Sequence, residues 1–224
     1  MSQLLKNKMK IALAQLNPKV GDVKGNISKL ISIRNDLSKD VDIMVVPELY
    51  VTGYPIDDLV LRNDFLELVE NEISDLAKLT NDGKAAIILG SPRKDEDKIR
   101  NSVFVLDQGK ILSFRDKHNL PNTGVFDEQR IFTPGSLSGP VKIRETLVGL
   151  PICEDIWNET VIDCLSETGA EIIISINASP YTTKKIDQRM SVAVSRVFES
   201  KIPLIYLNRV GGQDELVCDG SSFC

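Results

Sequence analysis

The sequence has one histidine, one tryptophan and no pair of cysteines spaced as Cys-x-x-Cys. A zinc site needs several closely grouped histidine and cysteine ligands, so these shortages argue against a metal centre. The four cysteines, Cys153, Cys164, Cys218 and Cys224, are expected to be free thiols in a reducing compartment. The sequence therefore predicts no metal site.

Long apolar runs and an excess of positive charge are also lacking. The longest apolar runs, such as 85–89 and 172–174, are far shorter than the roughly 20 residues that cross a bilayer. Residues 1–10 carry three lysines without an apolar core behind them, unlike a secretory signal. The net charge of −5 disfavours binding to a phosphate backbone. We expect a cytoplasmic protein that binds neither membranes nor nucleic acids.

The 224 residues, of which 42% are hydrophobic, suit one globular domain with a real core. Short apolar segments alternate with amphipathic ones along the chain. We predict helices at 26–38, 61–79, 154–167 and 187–200, and strands at 10–16, 41–46, 85–90, 102–106, 110–114, 146–152, 171–176, 203–207 and 216–223, the last interrupted by a turn at 219–220. The connections are of both helical and hairpin types, which indicates a sheet covered by helices and not a purely doubly wound fold.

Cys153 is the first candidate for chemistry. The predicted strand at 146–152 delivers it to the start of a predicted helix, so that it would stand exposed above the sheet edge. The first N–H groups of that helix are expected to lower the pKa of the thiol and to bind an oxyanion. The alternative is a buried structural cysteine.

Glu48, Lys117 and His118 are the other candidates. Glu48 follows a buried strand at the sheet edge where active sites gather, and partial burial would suit it to act as a general base. Lys117 could stabilise a thiolate or an oxyanion. A surface glutamate and a solvated lysine are the alternatives. A cysteine–histidine pair is disfavoured, because neighbours on an extended segment point to opposite faces and Lys117 and His118 cannot both face the cysteine.

The segment Gly211-Gly212-Gln213-Asp214 has the look of a phosphate-binding loop. It lacks flanking serines and a following helix pattern, and neither a P-loop nor a dinucleotide fingerprint occurs elsewhere in the sequence. The sequence predicts no nucleotide site.

Taken in the order Glu48, Lys117, Cys153, these residues resemble the nitrilase or carbon–nitrogen hydrolase superfamily. The resemblance extends from residue 10 to residue 223. Within the superfamily, the combination of segments is similar to the amino-terminal glutaminase domains of glutamine-dependent NAD⁺ synthetases. Five segments carry the resemblance: 47–55 (PELYVTGYP), 117–128 (KHNLPNTGVFDE), 151–157 (PICEDIW), 177–181 (NASPY) and 208–214 (NRVGGQD).

This resemblance implies an α/β fold, the nitrilase-like four-layer α-β-β-α sandwich. It also implies hydrolysis of the side-chain amide of L-glutamine through a cysteine thioester. Cys153 would be the nucleophile and Glu48 the general base. Lys117 and the backbone N–H of Glu154 would stabilise the oxyanion.

The resemblance further implies how the charged end of glutamine is held. Glu128 is expected near the ammonium, with Ser179 and Lys185 near the carboxylate; Lys184 could serve in place of Lys185. A zwitterion needs contacts of both signs. Thr123 stands in the substrate pocket where this branch usually carries tyrosine, which removes an aromatic wall.

The domain organisation is expected to be a single amidohydrolase domain over residues 1–224, truncated near its C-terminal strands. No cofactor is expected in it, and ATP and Mg²⁺ would belong to an absent C-terminal synthetase domain that receives the ammonia. A homo-oligomer is expected. Two alternatives stay open: a free-standing amidase acting on another ω-amide or carbamoyl compound, and an inactive fragment that only assembles with partners.

Overall fold

The computed structural model describes residues 8–224 of the chain. Residues 1–7, which belong to the N-terminal segment compared above with a secretory signal, lie outside this range. The helices are α1 (Val23–Asp36), α2 (Asn63–Leu79), α3 (Glu159–Glu167) and α4 (Lys185–Ser200), with single 3₁₀ turns at Asp57–Leu61, Glu128–Arg130 and Cys153–Ile156. The strands are β1 (Ile11–Leu13), β2 (Ile43–Val45), β3 (Ala86–Asp95), β4 (Lys98–Asp107), β5 (Lys110–Asp116), β6 (Val141–Ile143), β7 (Thr146–Gly149), β8 (Ile172–Asn177), β9 (Leu204–Asn208), β10 (Val210–Gln213) and β11 (Leu216–Asp219).

The strands form two mixed sheets and a separate hairpin. The first sheet has the order β1-β2-β3-β4-β5, parallel from β1 to β3 and antiparallel from β3 to β5. The second has the order β6-β7-β8-β9, antiparallel between β6 and β7 and parallel from β7 to β9. Strands β10 and β11 pair as a hairpin. Each sheet thus combines the helical and hairpin connections that the sequence predicts.

The side chains of β2 show how the layers are stacked. Successive residues of a strand point to opposite faces. Ile43 and Val45 pack in a core shared with residues of the second sheet such as Ile174, whereas Met44 packs with α1 and α2. In the second sheet Ile173 packs with α3 and α4. Two sheets therefore meet face to face with helices outside each of them, and the predicted α-β-β-α sandwich is confirmed.

Helix α1 begins earlier than the sequence predicts. The Asp22 carboxylate caps it by accepting a hydrogen bond from Gly25 N at 3.1 Å, so the helix starts at Val23 and not after Asn26. Asn26 lies buried in the first turn, where its side chain bonds both the backbone N–H and the carbonyl of Lys19. The predicted start at residue 26 was wrong because Asp22, four residues earlier, supplies the capping acceptor.

The segment after Cys153 also departs from its prediction. A continuous helix over 154–167 was expected, but the chain makes one 3₁₀ turn, Cys153–Ile156, before α3 begins at Glu159. Strands β3 and β4 are longer than predicted, and the short strands β6 and β10 were not predicted at all. Within residues 8–224, no helix combines the length and the apolar character needed to span a bilayer.

Candidate active site

The three predicted catalytic side chains follow three different strands. Glu48 lies just beyond β2, Lys117 directly after β5, and Cys153 beyond β7 in the other sheet. Gly90 on β3 permits the close approach beside Glu48, since a Cβ there would lie only 2.4 Å from the Pro47 carbonyl oxygen. The sandwich places Lys117 in contact with Glu48, and it brings Cys153 close enough for the charges of both to act on its thiol, although the three residues are far apart in the sequence.

Lys117 lies at the centre of a buried ionic cluster. Its Nζ donates to Glu48 Oε1 at 2.7 Å and to Glu128 Oε1 at 2.9 Å, and all three side chains are at least 95% buried. Burial by itself lowers the pKa of Lys117, but the negative charges of Glu128 and Glu48 outweigh it and raise that pKa well above its usual value. Lys117 is therefore a permanent ammonium between two carboxylates.

Two further groups hold the Glu48 carboxylate. Asn101 Nδ2 donates to Oε1 at 2.8 Å, and the backbone N–H of Ala178 donates to Oε2 at 2.9 Å. These bonds fix the orientation of the carboxylate. They also link it to both sheets, because Asn101 lies on β4 and Ala178 follows β8. Sequence analysis missed Asn101, because an asparagine on a strand carries no local signal of a partner 53 residues away.

Glu128 has one satisfied and one unsatisfied oxygen. Oε1 accepts from Lys117 and from the Tyr54 hydroxyl at 3.1 Å, whereas the buried Oε2 has no hydrogen-bond partner among the described residues. Burial raises the pKa of Glu128 to about 7, with Glu48 adding to the rise and Lys117 opposing it. A buried acceptor left open is costly unless a ligand donates to it. Tyr54 was not singled out from the sequence, although it lies in the segment that resembles the superfamily.

Cys153 has a strained backbone and a neutral thiol. Its φ is 45°, in the left-handed region that residues other than glycine seldom adopt, and its side chain is buried. Burial and the charge of Glu48 raise the pKa of this thiol well above its ordinary value, and Lys117 offsets only part of the rise. The expectation that a helix N-terminus lowers this pKa was wrong, because only one 3₁₀ turn follows and the site is desolvated. The charges acting on Cys153 nevertheless identify Glu48, Lys117 and Glu128 as its electrostatic neighbours.

The residues predicted to hold a zwitterion occupy different parts of the site. Ser179 is buried, and its hydroxyl oxygen accepts from Arg189 Nε at 3.1 Å. Lys185 is the first residue of α4, and its Nζ lies 4.1 Å from the centre of the Trp157 ring. Burial raises the pKa of the half-buried Glu154, and the charge of Lys185 offsets part of this rise. Thr123 is exposed. Lys184 is exposed at the start of the same helix.

The remaining sequence candidates lie apart from this chemistry. His118 Nδ1 lies 2.8 Å from the carbonyl oxygen of Gly135. The imidazole ring therefore has a hydrogen-bond partner other than Cys153. The segment 210–213 is strand β10 of the hairpin and not a phosphate-binding loop. Within the described range, no group of three or more histidine, cysteine, aspartate or glutamate side chains is placed to hold a metal ion.

The chain is similar to known proteins over nearly its whole length. The carbon–nitrogen hydrolase family matches residues 10–224. A glutamine-dependent NAD(+) synthetase of Rhodobacter capsulatus is 39% identical over 218 residues, covering 97% of this chain and 39% of that protein. The corresponding protein of Thermotoga maritima is also 39% identical, covering 96% of this chain and 38% of its own length. The chain thus spans about two fifths of the length of these relatives.

Solved structures show the same fold. A glutamine-dependent NAD+ synthetase from Acinetobacter baumannii, in complex with adenosine diphosphate, superposes with a TM-score of 0.89 at 35% identity, covering 96% of this chain and 41% of that one. An amidase from Nesterenkonia sp. superposes with a TM-score of 0.81 at 20% identity, covering 96% of this chain and 81% of that one. The second likeness bears on the fold alone.

Proposed function

Because the chain belongs to the carbon–nitrogen hydrolase family, we propose that it is a glutaminase domain that releases ammonia from the side-chain amide of L-glutamine. The observation that carries the proposal is the buried cluster in which the Lys117 ammonium contacts the Glu48 and Glu128 carboxylates beside Cys153. The likeness to glutamine-dependent NAD+ synthetases supports glutamine as the substrate. The domain covers residues 1–224 in this proposal.

The first half of the reaction forms a thioester. Glu48 takes the proton of the neutral Cys153 thiol as the sulfur attacks the amide carbon, which avoids a free thiolate in a desolvated site. Lys117 and the backbone N–H of Glu154 stabilise the negative oxygen of the tetrahedral intermediate. Glu48 then passes its proton to the leaving nitrogen, the C–N bond breaks, and ammonia departs.

The second half returns the enzyme to its starting state. Glu48 removes a proton from a water molecule as its oxygen attacks the thioester carbon. The same donors stabilise the second tetrahedral intermediate, the C–S bond breaks, and the Cys153 sulfur recovers its proton from Glu48. Glutamate leaves, so that one amide and one water give one carboxylic acid and one ammonia, and the acid gives up its proton in solution.

The charged end of glutamine is held by groups of both signs. Glu128 Oε2 accepts from the substrate ammonium, which supplies the donor that this buried oxygen otherwise lacks. Ser179 donates its hydroxyl proton to the substrate carboxylate, because Arg189 already occupies an acceptor position of that hydroxyl. Lys185 adds a positive charge at the rim of the site, and Thr123 leaves room where an aromatic ring would narrow the pocket.

The ammonia is proposed to pass to a synthetase part of a longer protein, in keeping with relatives more than twice as long as this chain. ATP and Mg²⁺ are assigned to that part, with no cofactor in this one. A cytoplasmic location follows from the proposed chemistry, since a reducing compartment keeps the nucleophilic thiol free.

We expect the intact protein to release ammonia from L-glutamine far faster than from glutaramate, which carries the same amide and carboxylate but no ammonium. The ratio of kcat/KM for the two compounds measures the contact with Glu128. A charge-assisted hydrogen bond of about 1.5–3 kcal/mol corresponds to a preference of roughly 10- to 100-fold. Equal or better turnover of glutaramate would instead favour an amidase of other specificity.

The Glu128→Gln variant should lose this preference and its pH dependence. The pKa of about 7 means that the carboxylate gains its charge as pH rises through neutrality, so KM for glutamine should fall roughly tenfold between pH 6 and pH 8. In Glu128→Gln that slope should flatten, whereas KM for glutaramate should have little slope in either protein. A slope shared by both compounds and retained by the variant would contradict the role of Glu128.

Self-association is also part of the proposal, and helix α4 supports it. Its outer face carries Ile186, Met190, Val194 and Phe198 at four-residue spacing, exposed by 46%, 42%, 58% and 73%. A contiguous apolar stripe of this kind marks an interaction surface. Antiparallel packing about a twofold axis would place Ile186 against Phe198 and Met190 against Val194 of a second copy. It would also bring the Lys184 end of one helix to the Glu199 end of the other.

We expect Val194→Glu to reduce the molecular mass of the intact protein in light scattering to that of a smaller assembly, because it buries a charge at the centre of the stripe. Leu79→Glu is the matched control, since Leu79 is also exposed, by 51%, but lies at the end of α2. An unchanged mass in Val194→Glu, or an equal loss in the control, would exclude α4 as the contact.

A further inference from the structure

The two halves of the proposed catalytic machinery are attached to different sheets. Lys117 follows β5 of the five-stranded sheet, and Cys153 follows β7 of the four-stranded sheet. The strand ladders fix positions within a sheet but not between two packed sheets. Something else must set the distance between the ammonium and the sulfur.

Asp155 connects the two segments directly. Its Oδ1 accepts from the backbone N–H of His118 at 3.0 Å and of Asn119 at 2.7 Å, and its Oδ2 accepts from the backbone N–H of Ile152 at 3.0 Å. The carboxylate is 2% exposed. One side chain therefore bonds the two residues that follow Lys117 and the residue that precedes Cys153.

The same residue closes the turn that carries the strained cysteine. The backbone N–H of Asp155 donates to the Ile152 carbonyl at 3.0 Å, while the Ile152 N–H donates back to the Asp155 carboxylate. A residue at positive φ costs on the order of 1–3 kcal/mol and persists only where its surroundings hold it. These reciprocal bonds span Cys153, whose φ is 45°.

A carboxylate is the only common side chain of this size that can make all three contacts. It has two oxygens and no donor when ionised, whereas an asparagine has one acceptor and one donor. Burial raises the pKa of Asp155 to about 6, with the backbone bonds of Asn119 and Ile152 and the charge of Lys117 opposing the rise. The group is thus mainly ionised at pH 7 and above, as three N–H donors require.

We propose that Asp155 is a positioning residue that sets the Lys117 ammonium against the Cys153 sulfur, acting through the backbone of both segments. It touches no reacting atom. The proposal rests on the proposed function only in the roles given to Lys117 and Cys153. A shift of about 1 Å between groups that must act together can cost roughly 100-fold in rate.

The test is Asp155→Asn in the intact protein. Its amide can satisfy the N–H groups of one segment but presents its own N–H₂ to the other, so the link between Lys117 and Cys153 loosens while side-chain volume is kept. We expect kcat for glutamine to fall roughly 10- to 100-fold with KM within about twofold, because the defect lies in the transition state and not in substrate binding. Asp107→Asn is the matched control, since Asp107 is also buried but pairs with Arg144 away from the site.

A second measurement needs no substrate and separates this proposal from the proposed function. The rate at which iodoacetamide alkylates Cys153, followed by peptide mass spectrometry, reports how readily its thiolate forms. Loss of a nearby negative charge alone would ease ionisation and speed alkylation. A displaced Lys117 would hinder ionisation and slow it, by tenfold for each unit by which the pKa rises.

Slower alkylation in folded Asp155→Asn supports the proposal even in a protein that does not hydrolyse glutamine. Unchanged or faster alkylation, or an unchanged kcat in an active enzyme, overturns it. Should Asp155→Asn fail to fold, Asp155→Ser serves the same test, because it removes the reach toward His118 and Asn119 while leaving a hydroxyl beside the Cys153 turn.

Discussion

Alanine in place of Cys153 should abolish glutamine hydrolysis, lowering kcat by roughly 10⁴-fold or more, as for other covalent nucleophiles. No other described group near Glu48 can form the thioester, and water alone would have to attack an unactivated amide. The substitution removes one buried atom and keeps a Cβ at the strained position. We therefore expect the melting temperature to change little, so that the loss of activity cannot be assigned to unfolding.

The matched control for this variant is Cys218→Ser. Cys218 is buried like Cys153, and burial raises the pKa of its thiol to about 11, but it lies on β11 of the hairpin and has no assigned role in the reaction. Activity should be retained in Cys218→Ser and absent in Cys153→Ala. Mass spectrometry of wild-type protein quenched during turnover should find a glutamyl adduct on Cys153. Residual turnover of more than about one part in a hundred in Cys153→Ala would refute the covalent mechanism.

The second large effect is expected for Lys117→Met, which removes the ammonium and keeps an unbranched chain. Loss of one positioned oxyanion donor costs roughly 10²- to 10³-fold in kcat. The same change leaves the Glu48 and Glu128 carboxylates buried without their cation, and breaking a buried ion pair costs about 3–5 kcal/mol. Lys117→Met should therefore be both inactive and unstable.

The stability lost in Lys117→Met should depend on pH in a characteristic way. Lys117 holds the pKa of Glu128 down against burial, so without it that pKa rises further above 7. A carboxyl whose folded pKa lies above its unfolded value destabilises the fold as pH rises from the unfolded pKa toward the folded one. Urea denaturation should show Lys117→Met losing stability from pH 5 to pH 8 more steeply than the wild type.

A double variant separates the structural role of Lys117 from its catalytic one. Lys117→Met combined with Glu128→Gln removes one buried charge together with the cation, and should recover part of the stability at pH 8 without recovering activity. Lys185→Met is the control for loss of a lysine at the rim of the site, and should keep normal stability. A Lys117→Met enzyme with a near-normal kcat would show that the oxyanion is stabilised by other donors.

Much of the architecture follows from local patterns. The short apolar run of β2 is typical of a strand buried on both faces, and the helical spacing of apolar residues in α2 is typical of a helix with one buried face. Both elements appear where the sequence predicts them. Boundaries were missed where one side chain decides them, as Asp22 does for α1. The strands β6 and β10 were missed because three or four residues carry too little pattern and gain their structure from neighbours.

The residues of the candidate site also divide into those that the sequence can identify and those that it cannot. Glu48, Lys117 and Cys153 can be picked out because each follows a strand within a segment that resembles a known superfamily. Asn101, Tyr54 and Asp155 cannot, because the role of each depends on a hydrogen bond to a partner 36 to 74 residues away in the chain. Such bonds depend on how the two sheets are docked.

The sequence by itself predicted most of the helices and strands in their order, because local periodicity encodes them. Its short segments, through their resemblance to a superfamily, implied the sandwich and the three side chains that we propose as reactive. Only the tertiary structure decided their chemical states. Desolvation and charge depend on distances between segments that are far apart in the sequence and adjacent in the folded protein. For that reason the pKa of the Cys153 thiol is raised where the strand-to-helix pattern had suggested a lowered one, and Lys117 contacts two carboxylates, which the sequence did not indicate.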